Sequence, residues 1–250
     1  MRPQREREQA IQMRASGVPF GEICSALGLP KRTVTHWFAG TRRSGTGRWY
    51  PSNCPRCAVP PAVPTDLESY AYLLGLYLGD GHILAKPRVY LLQISCTAAY
   101  PAIIDECERA MVATLGRRTH RTRRSGCVNV KSCGKHWLCL FPQHGPGKKH
   151  ERTIVLDDWQ RRIVEQRPGA FLRGLFHSDG CRIVNRVKIK HQTYEYPRYM
   201  FSNKSTDIMG LCQWALDLLG IPWRMARPDN LSVARREAVA ALDVWVGPKS

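Results

Sequence analysis

Two nine-residue runs, LLGLYLGDG at residues 73–81 and LRGLFHSDG at residues 172–180, constrain the fold of this 250-residue chain more than any other feature. Each run is largely apolar, as a buried helix would be, and each ends in Asp-Gly. A helix that stops before a hairpin turn would explain one Asp-Gly, but a turn does not require the apolar run before it. The recurrence therefore predicts an internal repeat in which each half begins with the same kind of helix.

The segments after the two runs follow the same order of elements. Asp80 precedes two strand-like segments, a helix, two further strand-like segments and a short helix, and Asp179 precedes the same series. This order predicts an α+β fold built from two αββαββα repeats. The expected ranges are residues 66–143 for the first repeat, 144–168 for a connector and 169–250 for the second repeat.

Small residues stand four positions apart in both runs. Gly75 and Gly79 in the first run correspond to Gly174 and Ser178 in the second. Positions four apart share one face of a helix, and a face of small residues lets two helix backbones approach closely. The spacing therefore predicts that the two helices pack along their lengths and bring their terminal aspartates together.

Asp80 and Asp179 would then be neighbouring carboxylates at two helix C-termini, which already carry partial negative charge. Two such carboxylates repel each other, and a divalent cation between them removes the repulsion. Mg²⁺ prefers oxygen ligands, and beside a phosphate it can activate water and stabilise a leaving oxygen. The pair is therefore the predicted Mg²⁺ site, with the backbone carbonyls of Gly79 and Ser178 as additional candidate ligands.

The paired runs and the order of elements after them resemble the LAGLIDADG motif and repeat of homing endonucleases, over about residues 66–250. Two motifs in one chain correspond to the monomeric, pseudo-twofold form of that family, whose two four-stranded sheets form a saddle over DNA. The resemblance implies that Asp80 and Asp179 bind the catalytic metal and that both strands of a duplex are cleaved. It also implies basic or polar residues near the metals. The candidates by position are Gln93, Lys131 and Lys188.

The second run departs from the first at two positions. Arg173 stands where the first run has Leu74, and His177 stands where it has Leu78. If these positions face outward, the predicted helix packing is unaffected, whereas if they face the partner helix the packing is weakened. His177 by itself is expected to be a solvated or core histidine rather than a metal ligand.

The chain carries 38 Lys and Arg against 20 Asp and Glu, and its net charge of +18 favours a polyanionic partner, here double-stranded DNA. Residues 67–250 alone hold 28 basic and 16 acidic residues. Alternation in the 182–190 segment predicts a basic strand face with an apolar back formed by Ile183, Val187 and Ile189, as a saddle over DNA needs; a solvated charged face is the alternative. The candidate DNA contacts of the strands and the connector are Arg118, Arg121, Arg123, Lys148, Lys149, Arg182, Arg186, Lys188 and Lys190.

Residues 1–42 are predicted to form a helix-turn-helix domain that binds DNA. Gly28 falls between two short helical segments, where a tight turn favours glycine, and Pro30 suits the start of the second segment. A plain helical hairpin is the alternative. The candidate DNA contacts on the outer face of the recognition helix are Lys31, Arg32, Thr33, Thr35 and His36.

Residues 43–65 are rich in Pro, Gly and Arg and are predicted to be a linker. The linker contains Cys54 and Cys57 in a C-x-x-C arrangement, which is half of a structural zinc site. Two ordinary thiols are the alternative, because two ligands alone do not make such a site. The candidate partners for zinc are Cys133, Cys139, His144 and His150.

No apolar run reaches the roughly 20 residues that span a bilayer, and the charged N-terminus lacks the apolar core of a secretory signal. We therefore expect a cytoplasmic, nucleoid-associated bacterial protein that is a monomer with internal pseudo-twofold symmetry.

Three functions remain open from the sequence. A Mg²⁺-dependent, site-specific double-strand DNA endonuclease is favoured because both acidic residues are present, and it is expected to be free-standing because no protein-splicing junction flanks the repeats. A transcriptional regulator that binds DNA without cleaving it would use the same fold together with the N-terminal domain. A cofactor of RNA splicing ranks third.

Overall fold

The computed structural model describes residues 4–30, 34, 63–85, 89–189, 191–247 and 249. Its contacts divide the chain into two units, Met1–Trp49 and Tyr50–Ser250. Each unit buries its own set of apolar side chains.

The N-terminal unit contains two helices, α1 (Gln4–Ala15) and α2 (Phe20–Ala26). Gly28 follows α2 with a φ of 60°, a left-handed conformation that glycine adopts without strain and that agrees with the predicted turn. Among the described residues of this unit, the buried apolar ones are Ala10, Ile23, Leu29 and Val34. The residues predicted to contact DNA in this unit lie outside the described residues: Lys31, Arg32, Thr33, Thr35 and His36.

The first half of the larger unit follows the predicted order of elements. Its helices and strands are α3 (Leu67–Asp80), β1 (Gly81–Ala85), β2 (Tyr90–Thr97), α4 (Pro101–Leu115), β3 (Thr119–Arg124), β4 (Cys127–Cys133) and α5 (Trp137–Leu140). Helix α3 begins where the Asp66 side chain accepts a hydrogen bond from the backbone N–H of Ser69 at 2.9 Å. This cap satisfies a donor that has no partner within the helix and therefore helps to set the start of α3.

The second half repeats this order after a connector. The connector contains a short 3₁₀ helix (Lys149–Glu151) and α6 (Asp158–Gln166). The elements of the second half are α7 (Pro168–Asp179), β5 (Gly180–Ile189), β6 (Gln192–Ser202), α8 (Thr206–Leu218), β7 (Arg224–Arg227), β8 (Asn230–Val233) and α9 (Arg236–Trp245). The predicted α+β fold with two αββαββα repeats is confirmed.

Each repeat forms one antiparallel, four-stranded sheet. The strand orders are β1-β2-β4-β3 and β5-β6-β8-β7, so the two sheets have the same topology. One face of each sheet packs against helices. In the second sheet, the rings of Tyr199 and Phe201 lie 5.5 and 5.6 Å from the ring of Phe176 in α7. In the first sheet, Leu92 is fully buried on the corresponding face.

Helices α3 and α7 touch through their backbones. A Cβ atom placed on Gly75 would lie 2.7 Å from the backbone nitrogen of Leu175, and one placed on Gly174 would lie 2.9 Å from the Cα atom of Gly75. Farther along, a Cβ atom on Gly79 would lie 2.5 Å from the Cβ atom of Ser178. The two helices therefore pack along their small residues, as the spacing predicts.

This contact yields a stability prediction with a control in the same chain. Changing Gly174 to Ala is expected to lower the free energy of unfolding by about 1–3 kcal/mol, because the added methyl group meets backbone that cannot rotate away. Gly210, in the middle of α8, has no atom within 4 Å of an added Cβ. Gly210→Ala should raise stability by about 0.4–1 kcal/mol through the lower entropy of the unfolded chain. Denaturant unfolding of both variants measures the difference; equal stabilities would contradict the close helix contact.

His177 is buried, whereas the side chain of Arg173 is partly exposed, and both find polar partners in the protein. The Nδ1 atom of His177 lies 3.0 Å from the hydroxyl oxygen of Tyr72 in α3, and its Nε2 atom lies 3.2 Å from the carbonyl oxygen of Val246. Arg173 donates a hydrogen bond from Nη2 to Glu106 in α4 at 2.8 Å. Both departures from the first run are therefore accommodated by polar partners, and the helix contact persists beside them. The sequence predicted either a solvated or a core histidine at position 177, and the structure shows that His177 is buried in the core.

The enclosed position of His177 predicts a pH dependence of stability. Burial, and then the positive charge of Arg173, lower the pKa of His177 from 6.5 to about 4. Between these values the unfolded chain takes up a proton that the folded protein does not, so the free energy of unfolding falls as the pH falls. Asp80, whose pKa is raised, acts in the opposite direction over part of this range. Comparison with a His177→Gln variant cancels that contribution.

We expect the wild type to lose about 1–3 kcal/mol more than His177→Gln between pH 6.5 and pH 4. Denaturant unfolding at several pH values provides the two profiles. Parallel profiles would show that His177 is protonated equally in the folded and unfolded chains.

Candidate functional site

Asp80 and Asp179, the last residues of α3 and α7, form what we call the acid pair. A Cβ atom placed on Gly79 would lie 3.0 Å from Oδ2 of Asp179, so the second carboxylate lies against the end of the first helix. Asn203, which follows β6, donates a hydrogen bond from Nδ2 to the same Oδ2 atom at 2.7 Å. The helix contact and this hydrogen bond together set the position of Asp179.

The acid pair lies in a partly enclosed position. Loss of hydration, and then the negative charge of Asp179, raise the pKa of Asp80 to about 6, although Asp80 keeps access to solvent. Burial also raises the pKa of Asp179, while the hydrogen bond from Asn203 and the charge of Lys149 oppose that change. Two neighbouring carboxylates that resist ionisation favour a cation, which removes their mutual repulsion.

Two lysines bring positive charge to the acid pair. Lys149 in the connector donates hydrogen bonds from Nζ to the carbonyl oxygens of Tyr77 and, at 2.8 Å, Gly79. Lys249 donates from Nζ to the carbonyl oxygen of Ser178 at 3.4 Å. Burial lowers the pKa of Lys149 to about 8, against the raising effect of the two aspartates, and burial also lowers the pKa of Lys249. Each helix C-terminus is thus contacted by one ammonium group, as its dipole favours.

The two lysines occupy equivalent places in the two repeats. The stretch of chain from Asp80 to Lys149 is nearly equal in length to the stretch from Asp179 to Lys249. The sequence predicted Lys149 only as a DNA contact of the connector and missed Lys249. The near-equal spacing from the two aspartates is the signal that could have identified both.

The acid pair suits a hard divalent cation. Within the part of the chain that the structure describes, no group of three or more His, Cys, Asp or Glu side chains is placed to hold a metal. The pair would therefore supply two carboxylates and leave the other positions to water or phosphate oxygens, as Mg²⁺ accepts. The carbonyl oxygens of Gly79 and Ser178, the predicted additional ligands, each accept a hydrogen bond from a lysine.

Polar residues form a row across the first sheet, starting two residues after Asp80. His82 pairs with Gln93, Gln93 pairs with Lys131, and Lys131 pairs with His120. The side chains of paired residues share one face of the sheet, and this is the face opposite the buried Leu92. Burial, followed by the charges of Lys149 and Lys131, lowers the pKa of His82. The structure therefore brings the candidates Gln93 and Lys131 together beside the acid pair, with His82 as a neighbour that the sequence missed.

The equivalent row of the second sheet has different chemistry. Cys181 pairs with Met200, Met200 pairs with Ser232, and Ser232 pairs with Arg224. Lys188, the third candidate by position, pairs with Thr193 near the tip of the β5–β6 hairpin, roughly 30 Å along the strand from Asp179. The structure does not bring Lys188 to the acid pair.

Four of the basic residues predicted to contact DNA are paired with acidic side chains: Arg121, Arg182, Arg186 and Lys148. Arg121 contacts Asp105 at 2.7 Å and also Glu108, both in α4. Arg182 contacts Asp243 in α9 at 2.8 Å, and Arg186 contacts Glu195 at 2.8 Å. Lys148 is exposed and lies 3.4 Å from Glu151. Of the other predicted contacts, Arg118 and Arg123 are exposed, and Lys190 lies outside the described residues.

The predicted apolar back of β5 does not pack against a core. Ile183 is 44% exposed and Val187 is 36% exposed, while Arg182 lies on the helix side of the sheet beside Tyr199 and Asp243. The alternation was predicted correctly, but the two faces are reversed with respect to the helices. The reason is the register of the hairpin, since Arg182 pairs with Tyr199, whose ring packs against Phe176 of α7, and alternation then places Ile183 and Val187 on the opposite face.

An open depression of about 440 Å³ adjoins the acid pair. Asp179 and Gly79 lie on its wall, and most of its other polar side chains are basic. A negatively charged group such as a phosphate would therefore meet complementary charge on entering it. The basic and amide side chains that line the depression are His82, His144, Lys148, Lys149, His150, Arg152, Asn203 and Lys204.

The predicted zinc ligands are not gathered in the described part of the chain. Cys54 and Cys57 lie outside it. Cys133 is exposed at the end of β4, Cys139 is buried in α5, and His144 and His150 line the depression. These four candidate partners do not form a metal-binding group among the described residues.

Comparison with known proteins gives a structural likeness without a sequence relative. No protein-family model and no curated protein matches the sequence. A structure of mesophilic variants of the homing endonuclease I-DmoI is 17% identical, with a TM-score of 0.50, over 72% of this chain and 89% of that chain. A structure of I-DmoI with DNA and Mn is 15% identical, with a TM-score of 0.47, over 72% of this chain and 97% of that chain.

The N-terminal LAGLIDADG domain of DUF199/WhiA is 12% identical, with a TM-score of 0.43, over 75% of this chain and 87% of that chain. Likeness at these identities concerns the fold alone. The repeated αββαββα order, the two sheets of equal topology and the glycine contact between α3 and α7 agree with it. The larger unit of this protein has a LAGLIDADG-type fold in its two-repeat, single-chain form.

Proposed function

We propose that this protein is a site-specific endonuclease that hydrolyses phosphodiester bonds of double-stranded DNA with Mg²⁺ held by Asp80 and Asp179. The observation that carries the proposal is the backbone contact between α3 and α7, which brings two carboxylates together from separate repeats. The acid pair does not stabilise the fold, since two neighbouring carboxylates at helix C-termini lower its stability. The cost is explained if the pair serves to bind a cation.

The residues around the acid pair suit phosphodiester hydrolysis. A divalent cation bound there would activate water and neutralise charge on the phosphate. Lys149 and Lys249 supply positive charge close to both carboxylates, where it would stabilise the additional negative charge of the transition state. Gln93 and Lys131 offer a hydrogen-bond donor and a positive charge on the sheet face next to Asp80, where they would orient a phosphate or a water.

Overall charge supports duplex DNA as the substrate. Basic residues clearly outnumber acidic ones over residues 67–250, and Lys148, Lys204 and Arg152 surround the depression beside the acid pair. Contacts of these residues with phosphates would add affinity that falls as salt rises. The N-terminal domain predicted over residues 1–42 would contribute a second DNA contact through its recognition helix. No helix among the described residues is long and apolar enough to cross a membrane.

A regulator that binds DNA without cleaving it is the second candidate. It is favoured by one observation, the hydrogen bonds from Lys149 and Lys249 to the carbonyl oxygens next to the acid pair. These contacts place two positive charges near two negative charges, so the lysines offset the charge of the two carboxylates without a metal ion. Such a protein would use the saddle and the N-terminal unit for binding alone.

Selection from a random duplex library separates the two functions. The full chain is incubated with the library in Mg²⁺ or in EDTA, and bound and cut sequences are recovered separately. If the protein is an endonuclease, we expect some sequences to be bound in both conditions and cut only in Mg²⁺. Tight binding of a defined sequence with no cutting at any Mg²⁺ concentration would favour the regulator and refute the nuclease.

A further inference from the structure

The β5–β6 hairpin extends well beyond the sheet to which it belongs. Its strands pair continuously from Gly180 with Phe201 to Ile189 with Gln192. Strand β8 pairs only with residues 199–202 of β6, so residues 183–189 and 192–198 form a two-stranded ribbon without a third strand among the described residues.

One face of this ribbon is largely apolar and aromatic, and its polar members include Asn185, which pairs with Tyr196, and Arg198, which pairs with Ile183. Tyr199 and Phe201 point towards α7, and successive strand residues alternate between faces, so the opposite face carries Ile183, Val187, Tyr194 and Tyr196. We call these four residues the apolar ribbon face. Their exposed fractions are 44%, 36%, 40% and 46%, and the rings of Tyr194 and Tyr196 stack with centroids 6.3 Å apart.

The apolar ribbon face is flanked by groups that suit a polyanion. Arg198 pairs with Ile183 and therefore lies on the same face, while Arg186 and Lys188 lie on the other face of the ribbon. The unit as a whole is strongly basic. An acidic protein would also meet this charge, but DNA places phosphates on both sides of an apolar contact, as the flanking basic residues require. Charge complementarity therefore selects duplex DNA as the occupant.

The major groove of DNA admits a two-stranded ribbon, and it shows one apolar group, the C5-methyl group of thymine. Tyrosine rings and the methyl groups of Ile and Val would contact that group. The first sheet presents different chemistry, since the row from His82 through Gln93 and Lys131 to His120 is polar throughout. The two repeats would therefore read different chemical features of the two halves of one site.

We propose that the apolar ribbon face recognises thymine methyl groups, so that the half-site under the second repeat is rich in thymine and the half-site under the first is not. This inference rests on the DNA binding in the proposed function and is independent of cleavage. Burial of one methyl group corresponds to about a four-fold change in affinity, so two thymine contacts give roughly 15-fold.

The test uses the full chain and the duplex selected from the random library, with uracil replacing thymine in one half-site at a time. Uracil lacks only the C5-methyl group and pairs as thymine does. We expect the dissociation constant to rise roughly 15-fold for uracil under the second repeat and less than about two-fold for uracil under the first. Footprinting of the bound duplex with a cleavage reagent tethered at Cys181, which is exposed at the base of the ribbon, assigns the half-sites in a variant whose other accessible cysteines, Cys133 among them, are changed to Ser.

Two matched variants connect the effect to the apolar ribbon face. Val187→Ser removes a methyl contact from that face, and Val184→Ser changes a valine that is 48% exposed on the opposite face of the same strand. Both substitutions replace valine by serine in the same strand, so they lower the β-strand propensity by a similar amount. We expect Val187→Ser alone to weaken binding to the thymine duplex and to reduce the difference between thymine and uracil.

The outcomes distinguish this inference from the proposed function. Tight binding with equal affinity for thymine and uracil in both half-sites overturns the inference and leaves the nuclease standing. Discrimination of uracil by a protein that never cuts DNA supports the inference and refutes the nuclease. Absence of any DNA binding overturns both. Self-association that is lost in Val187→Ser and kept in Val184→Ser would show that a second copy of the chain occupies the face, and would overturn the inference.

Discussion

Asp80→Asn and Asp179→Asn are each expected to reduce cleavage of the selected duplex by at least about 1,000-fold, the order of loss when one member of a catalytic unit is removed. An amide side chain keeps the size of the carboxylate and loses the charge that holds a divalent cation. DNA binding should persist or become tighter, because a negative charge near the phosphates has been removed. Single-turnover cleavage and equilibrium binding in Ca²⁺ or EDTA measure the two effects separately.

Asp158 provides the control for this prediction. It is exposed in the first turn of α6, outside the acid pair, so Asp158→Asn should cut at the wild-type rate. Wild-type cleavage by both acid-pair variants would show that the chemistry occurs elsewhere. Loss of binding together with cleavage would instead indicate that the carboxylates have a structural role, and thermal unfolding of the variants would reveal it.

Lys149→Met is expected to reduce cleavage by about 100-fold, the order of effect of a preorganised charge beside the reacting group. Lys149 is the ammonium group that hydrogen bonds to the end of α3 and that interacts with both aspartates. Lys148→Met is the matched control, because Lys148 is the neighbouring residue and 72% of its side chain is exposed. The control variant should lose affinity for DNA slightly, mainly at low salt, and keep its cleavage rate.

The same lysine predicts the form of the pH profile. Burial lowers the pKa of Lys149 to about 8, so its positive charge is present below that pH and is lost above it. Asp80, with a pKa of about 6, must lose its proton before it binds a cation, so cleavage should also fall below that pH. A bound metal shifts this lower limit to more acidic pH because it favours the ionised carboxylate.

Lys149→Arg should retain part of the activity and lose the decline near pH 8, since a guanidinium group stays charged throughout the accessible range. A cleavage rate in Lys149→Met that equals that of the wild type would show that this charge takes no part in the reaction. A decline near the same pH that persists in Lys149→Arg would assign it to another group.

Much of the fold could be predicted because its signals are local and occur twice. The Gly75 and Gly174 positions, the Asp-Gly endings and the order of helices and strands each have a counterpart in the other repeat. A hairpin turn explains one copy of such a run, whereas two copies in equivalent places require a common architecture. Helix bounds follow from equally local features, such as the Asp66 cap and Gly116 with a φ of 65°.

The candidate site could be predicted only in part. The acid pair followed from the repeat, whereas Gln93 and Lys131 were candidates by position that the resemblance implied. Lys249 was missed because it is a single lysine far along the chain from its aspartate, and nothing in the local sequence distinguishes it from other surface lysines. Lys188 was placed at the site although its strand continues far beyond it.

The sequence by itself determined the repeat, the small residues that bring α3 and α7 together and the alternation of basic and apolar residues along β5. Only the tertiary structure decided which face of β5 meets the helices, because alternation defines two faces and does not identify the one that is covered. Arg182 lies on the covered side beside Asp243 because it pairs with Tyr199, which packs on α7, and the apolar residues therefore face the other way. The tertiary structure likewise decided which ammonium groups reach the acid pair. Lys149 and Lys249 each lie most of a repeat away from their aspartate along the chain, so only the folded path of the chain brings them to it.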